Sequence, residues 1–143
     1  MFVKQLSLFL ENRSGRLGCA THTLAERNIN ILALSLADTA DFGILRLIVS
    51  NPDGAVEALK AAGFTVVINE VVAVGVEDKP GGLAAILDIL SKDDINVEYM
   101  YAFSSVTTGR AALVFRFEDN NAAVKCLLQA EVGVLKDVDV LGA

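Results

Sequence analysis

The chain is poor in the residue types that most enzymes and metalloproteins are built around. It has a single histidine, His22, two cysteines and no tryptophan in 143 residues. One histidine excludes a His–His metal pair and leaves no base beside an evident Ser or Cys nucleophile, so neither a metal nor a cofactor site is expected. On a helical wheel His22 falls with Gly18 and Glu26, away from Leu17 and Leu24, and reads as a solvated or interface residue. Cys19 and Cys126 lie in different helical patterns and are read as small buried hydrophobes of a reducing compartment. There is no GxSxG, HExxH or P-loop, and no GxGxxG followed by an acidic residue.

Positive charge is also scarce. Twelve Lys and Arg stand against eighteen Asp and Glu, a net charge of −6. The first 70 residues hold six basic and seven acidic groups and the remainder six and eleven, so most of the excess is in the second half. That balance repels phosphate backbones and anionic lipid, which argues against nucleic-acid and membrane partners. Gly15-Arg16-Leu17-Gly18 matches a four-residue GxxG RNA-binding pattern, but the charge has the wrong sign for that use. No apolar run reaches the ~18 residues of a membrane span and no basic leader-like segment stands at the start, so the expectation is a cytoplasmic protein.

What the chain does have is a repeat. Glu11-Asn12-Arg13-Ser14-Gly15-Arg16-Leu17 returns as Glu77-Asp78-Lys79-Pro80-Gly81-Gly82-Leu83, and Asn28-Ile29-Asn30-Ile31 returns as Asp94-Ile95-Asn96-Val97. Both keep one offset of 66 positions (15 to 81, 30 to 96), as does Gly43 to Gly109. A repeat in register over this length is one supersecondary unit duplicated. The modules are expected at residues 1–69 and 70–143, each close to the smallest size that folds alone. Hydrophobic residues make up 53% of the chain, a surplus that points to packing between modules and to a homodimer.

Within each copy the periodicity changes in the same order. Leu6, Leu8 and Leu10 alternate as a strand. A helix from near Gly15 to Asn28 carries Leu17, Thr21 and Leu24 on one stripe. Strands at 31–36 and 44–49 flank a polar hairpin, Asp38-Thr39-Ala40-Asp41. Asn51-Pro52-Asp53 opens a second helix that Gly63 stops, and 64–68 is a fourth strand. The second copy gives a strand at 71–76, a helix at 83–90, strands at 97–103 and 111–117, a helix at 122–130 and a strand at 134–141, with only Asn69-Glu70 between the copies. The predicted class is α+β: two tandem ferredoxin-like βαββαβ modules with antiparallel sheets side by side. Leu83, Ala85, Ile86, Leu87, Ile89 and Leu90 make the first helix of the second copy apolar over most of its circumference, which predicts burial on more than one side.

The repeated strand-to-helix turn is the candidate site. A glycine there admits close approach, and the first N–H groups of the helix suit a carboxylate. Asn12 can both donate and accept, whereas Asp78 accepts and suits an ammonium. Asn30 and Asn96, which open the next strand, are expected at the same end of the module. The alternative reading is that Asn12 and Asp78 cap their helices while Asn30 and Asn96 shape turns.

These turn motifs, with their paired Asn-Ile-Asn-Ile and Asp-Ile-Asn-Val segments, resemble the ACT domain over nearly the whole chain, and the pairing resembles the stand-alone tandem ACT proteins of bacteria. The resemblance implies a non-catalytic regulatory protein that binds a small effector, an amino acid, and passes the signal to another protein. In the serine-binding ACT module of phosphoglycerate dehydrogenase the effector lies between two modules, held by an Asn of the first turn and an Asn before the second strand. By that likeness Asn12 or Asp78 and Asn30 or Asn96 hold the ligand, while the helix starts at Ser14, Gly15, Arg16 and Leu17, and at Pro80, Gly81, Gly82 and Leu83, are expected to meet its carboxylate. A His two residues before the turn Asn in that module is Leu10 here and Val76 in the second copy, so serine specificity does not carry over, and the Asn-to-Asp change at position 78 makes the two sites unequal. Two other uses of the fold differ in their signs: an acylphosphatase-like hydrolase would use Arg13 on the first loop, and a structural assembly module would bind no ligand.

Overall fold

The computed structural model describes residues 2–38, 41–104 and 110–135. These form two compact units: Lys4–Asn69, and the described residues from Glu70 on together with Phe2 and Val3. The elements in chain order are β1 (Val3–Glu11), α1 (Arg16–Glu26), β2 (Ile31–Asp38), β3 (Phe42–Val49), α2 (Pro52–Ala61), β4 (Thr65–Glu77), α3 (Gly82–Lys92), β5 (Val97–Ser104), β6 (Arg110–Phe117), α4 (Asn120–Gln129) and β7 (Val134–Leu135). Asn69 and Glu70, expected to stand between two strands, lie inside the single 13-residue strand β4. Of the expected closing strand, only Val134–Leu135 falls within the described residues.

In the first unit the strands run β2-β3-β1-β4, and in the second β4 lies between β7 and β6, with β5 beyond β6. The β1–β3, β2–β3, β4–β6, β4–β7 and β5–β6 pairs are all antiparallel. This is the ferredoxin-like βαββαβ order in each unit. Alternation along β1 sends Leu6, Leu8 and Leu10 into a core with Leu45, Leu47, Leu24 and Leu59. The second core gathers Val72, Val74, Phe115 and Phe117 with Ile86, Leu90 and Leu127, and the Phe115 and Phe117 rings stack at 5.1 Å.

The register of the strands refines the repeat. Leu10 faces Gly43, and its counterpart Val76 faces Ala111, so the offset grows from 66 to 68 (43 to 111) across the β5–β6 connection. Gly109, which lies outside the described residues, is therefore not the register counterpart of Gly43.

The four helices among the described residues all stop the same way. Two N–H groups beyond each helix return to its last turn, as Asn28 to the Ala25 carbonyl and Ile29 to that of Leu24 in α1. The turning residue is Asn28 (φ 56), Gly63 (φ 90), Asp94 (φ 55) or Glu131 (φ 60), the left-handed position of a Schellman cap. The repeated Asn28-Ile29 and Asp94-Ile95 pairs are thus helix stops, with Ile29 and Ile95 packed on the two cores.

The two helix faces correct the periodicity reading. α1 buries Ala20 and Leu24 and leaves Leu17 exposed. α3 buries Gly82, Ile86 and Leu90, four residues apart, with Leu83 exposed, so within the chain it is covered on one side rather than most of the way round. Leu17 and Leu83 are repeat equivalents, and both are 38% exposed. Cys126 is buried as expected, but Cys19 is exposed on α1, as is His22.

Candidate functional site

The four helices divide by how they begin. Asn51 caps α2 through Gly54 N–H and Asp119 caps α4 through Ala122 N–H, each at 3.1 Å. Neither α1 nor α3 has a side-chain cap; both start from a glycine in the left-handed region, Gly15 at φ 88 and Gly81 at φ 86. Asn12 and Asp78 are therefore not the caps of these helices. The first intrahelical bond of α1 runs from Cys19 N–H to the Gly15 carbonyl, and Arg16 N–H is taken by the Arg13 carbonyl at 3.4 Å. This leaves the N–H groups of Leu17 and Gly18 without an intrahelical acceptor.

The turn itself is held from both sides. Asn12 N–H donates to the Asp41 carbonyl at 3.0 Å, which fixes the end of β1 against the β2–β3 hairpin. Arg13 Nε pairs with Glu11 Oε2 at 3.2 Å, and in the second copy Lys79 Nζ pairs with Glu77 Oε2 at 2.8 Å. The bond and charge of Lys79 hold the Glu77 carboxyl below the usual carboxylate range, and Glu77 in turn raises the Lys79 ammonium.

Beside the first turn is a cavity of ≈ 80 Å³. Its apolar lining is Leu10, Leu17, Leu36 and Gly43, and its polar lining is Glu11, Asn12, Arg13 and Asp38. Leu36 and Gly43 come from β2 and β3, whose antiparallel pairing returns the hairpin to the end of β1. A Cβ on Gly43 would stand 3.3 Å from Leu36 Cδ1, so the glycine leaves room for that leucine. Leu36, Asp38 and Gly43 were not legible as site residues from the motif; the signal that finds them is strand direction.

Strand direction also separates two groups of expected site residues. Asn12 is level with Asp41, whereas the Asn30 carbonyl accepts from Ser50 N–H and Asn30 N–H donates to Ser50 Oγ, at the other end of β3. Nine residues of strand at roughly 3.3 Å each put about 30 Å between them along the sheet. Asn96 is likewise level with Glu118, while Glu77 at the turn faces Arg110. The expectation that Asn30 and Asn96 share an end with their own turns is thus corrected. Ser14, Gly15, Asp78, Pro80 and Gly81 are all exposed at the turns.

Arg16 and Gly82 occupy one repeat position with opposite character. Arg16 turns away from the cavity and lies over the Phe64 ring at 4.7 Å, a cation–π contact. Gly82 is buried, and a Cβ there would meet the Glu77 carbonyl oxygen at 2.7 Å. The second turn is thus drawn tightly onto the end of β4.

Two ferredoxin-like units, each opening a helix without a side-chain cap after its first strand, define a tandem pair of βαββαβ modules. The family model of the ACT domain pair matches residues 1–142, and the chain belongs to that family. Protein BT0572 from Bacteroides thetaiotaomicron is 45% identical, with a TM-score of 0.90 over 94% of this chain and 92% of that one. The ligand-free regulatory subunit of aspartate kinase from Thermus thermophilus has a TM-score of 0.65 at 21% identity, covering 89% and 91%. The corresponding subunit from Thermus flavus has 0.61 at 21%, covering 90% and 92%. No functionally curated protein matches the sequence significantly. No helix among the described residues is long and apolar enough to cross a membrane.

Proposed function

We propose that this ACT domain pair is a non-catalytic, cytoplasmic regulatory protein that binds an amino acid or a similar small zwitterion and works as a homodimer. The observation that carries this reading is the first turn, where an uncapped helix start opens beside a cavity lined by three leucines, Asn12 and Asp38. The free N–H groups at Leu17 and Gly18 suit the ligand carboxylate, with Ser14 and Gly15 forming the approach. The turn from Asp78 through Pro80, Gly81 and Gly82 to Leu83 is the second, unequal copy. The cavity is open on one side, and in this reading a neighbouring ACT module, such as one from a second copy of the chain, covers it and brings Asn30 or Asn96. A ligand that joins two modules stabilises one placement of them, which is how its level is passed to a partner protein. Fold neighbours that are regulatory subunits support this reading. The acylphosphatase alternative is disfavoured by Glu11, whose carboxylate pairs with Arg13 where an anion would have to bind.

The test is thermal unfolding of protein refolded from denaturant, screened against each common amino acid. At a hundredfold excess over Kd a true ligand adds about 2.7 kcal/mol and raises the melting temperature. A rise that disappears in Asn12→Ala supports the reading, and flat melting with all of them contradicts it.

A further inference from the structure

We infer that Asp38 is the acceptor for the ligand ammonium in the first module, that Asp78 takes this role in the second, and that the first cavity selects a short branched aliphatic side chain. This rests on the amino-acid-binding reading above and names its ligand class.

Some of the acidic groups at the two mouths are already used. Each turn region carries a glutamate, Glu11 or Glu77, and each is neutralised by the basic residue two positions on. Asp38 and Asp78 make no ion pair among the described residues. Register then shows that these two acids exchange places between the copies. Asp38 faces Gly43 on the last rung of the β2–β3 hairpin, and its counterpart Ser104 faces Ala111 on the equivalent rung of β5–β6. Asn12 follows β1 where Asp78 follows β4. The first copy thus combines a neutral turn with an acidic strand end, and the second an acidic turn with a neutral strand end. Among the described residues each mouth thus keeps a carboxylate outside any ion pair, Asp38 in the cavity lining of the first (with Asp41 beyond it on the hairpin) and Asp78 in the second, which is what an ammonium requires and a simple carboxylic acid does not.

The side-chain class follows from the lining. Leu10, Leu17 and Leu36 offer no hydrogen bond to a ligand, so a side chain seated against these three is favoured when apolar, the polar lining of Glu11, Asn12, Arg13 and Asp38 being left for the charged groups of the ligand. The space beside these leucines, ≈ 80 Å³, suits a compact aliphatic group. In the second copy Val76 and Ala102 replace Leu10 and Leu36, which gives a thinner apolar wall.

Calorimetric titration of the full chain tests this in an Asp78→Asn background, so that the first site is read alone, using valine, leucine, isoleucine, serine and the α-keto acid of leucine. The expected result is binding of the branched amino acids, at least tenfold weaker binding of serine and the keto acid, and at least a tenfold loss for leucine in Asp38→Asn with the keto acid unaffected. Leu36→Ala is expected to weaken leucine more than valine. Both positions are exposed, and unchanged circular dichroism checks that the variants fold. Unaltered leucine binding in Asp38→Asn, or serine or the keto acid binding as tightly as leucine, would overturn the inference and leave the amino-acid reading standing. Binding of no amino acid to the wild-type chain would overturn both.

Discussion

Asn12 N–H reaches the Asp41 carbonyl at 3.0 Å, so the turn that starts α1 is tied to the hairpin that brings Leu36 and Asp38 to it. Because the bond is made by the backbone, the Asn12 side chain is left for other work. Asn12→Ala is expected to change stability by no more than about 0.5 kcal/mol while abolishing ligand binding. Asn12→Pro removes the donor and is expected to cost about 1 kcal/mol or more. Urea unfolding of both variants checks the contrast.

Gly15 and Gly81 have nothing within 4 Å of the point where a Cβ would stand, so replacing either tests backbone conformation alone. At φ 88 and 86, Gly15→Ala and Gly81→Ala are each expected to cost about 1–2 kcal/mol. Gly18→Ala, inside α1 with equally open space, is expected to stabilise by up to about 1 kcal/mol. Opposite signs in equilibrium unfolding would separate helix propensity from left-handed strain.

Glu131 holds the left-handed position after α4 that Gly63 holds after α2. Glu131→Gly relieves that strain and is expected to raise stability by about 1 kcal/mol, read as a higher urea midpoint at unchanged slope.

The two thiols should separate cleanly. Burial raises the Cys126 thiol above its ordinary range, helped by the Asp93 carboxylate, and its Sγ lies 3.6 Å from the Ile89 carbonyl. Cys19 is exposed. A disulfide reagent at pH 8 is expected to titrate one thiol quickly and the second only on unfolding. Since the folded state favours the neutral Cys126 thiol, its contribution to stability is full below the unfolded thiol pKa and is lost as pH rises through the raised folded value.

Much of the fold was legible because strand alternation and helix stops are local. Leu6, Leu8 and Leu10 announce β1, and Asn28-Ile29 and Asp94-Ile95 announce the ends of α1 and α3. The 66-residue offset was equally plain, but its growth to 68 was not, since the match of Gly43 with Gly109 satisfied the eye where only pairing with Leu10 and Val76 decides. Leu17 misled because it lies on a helical stripe with Leu24, yet Ala20 and Leu24 are the pair that face the sheet. The site was half legible. The turn motif marks Asn12 and Gly15, whereas Asp38 and Leu36 arrive from β2 through antiparallel pairing, a long-range fact that no motif carries, and the same pairing sends Asn30 to the far end.

The sharpest test of ligand binding at the first turn is a proton–nitrogen correlation spectrum of the labelled protein titrated with leucine. Saturable shifts are expected, concentrated at the amides of Asn12, Leu17, Gly18 and Gly43. Shifts confined to other parts of the chain, or none at saturating leucine, would contradict the proposed site.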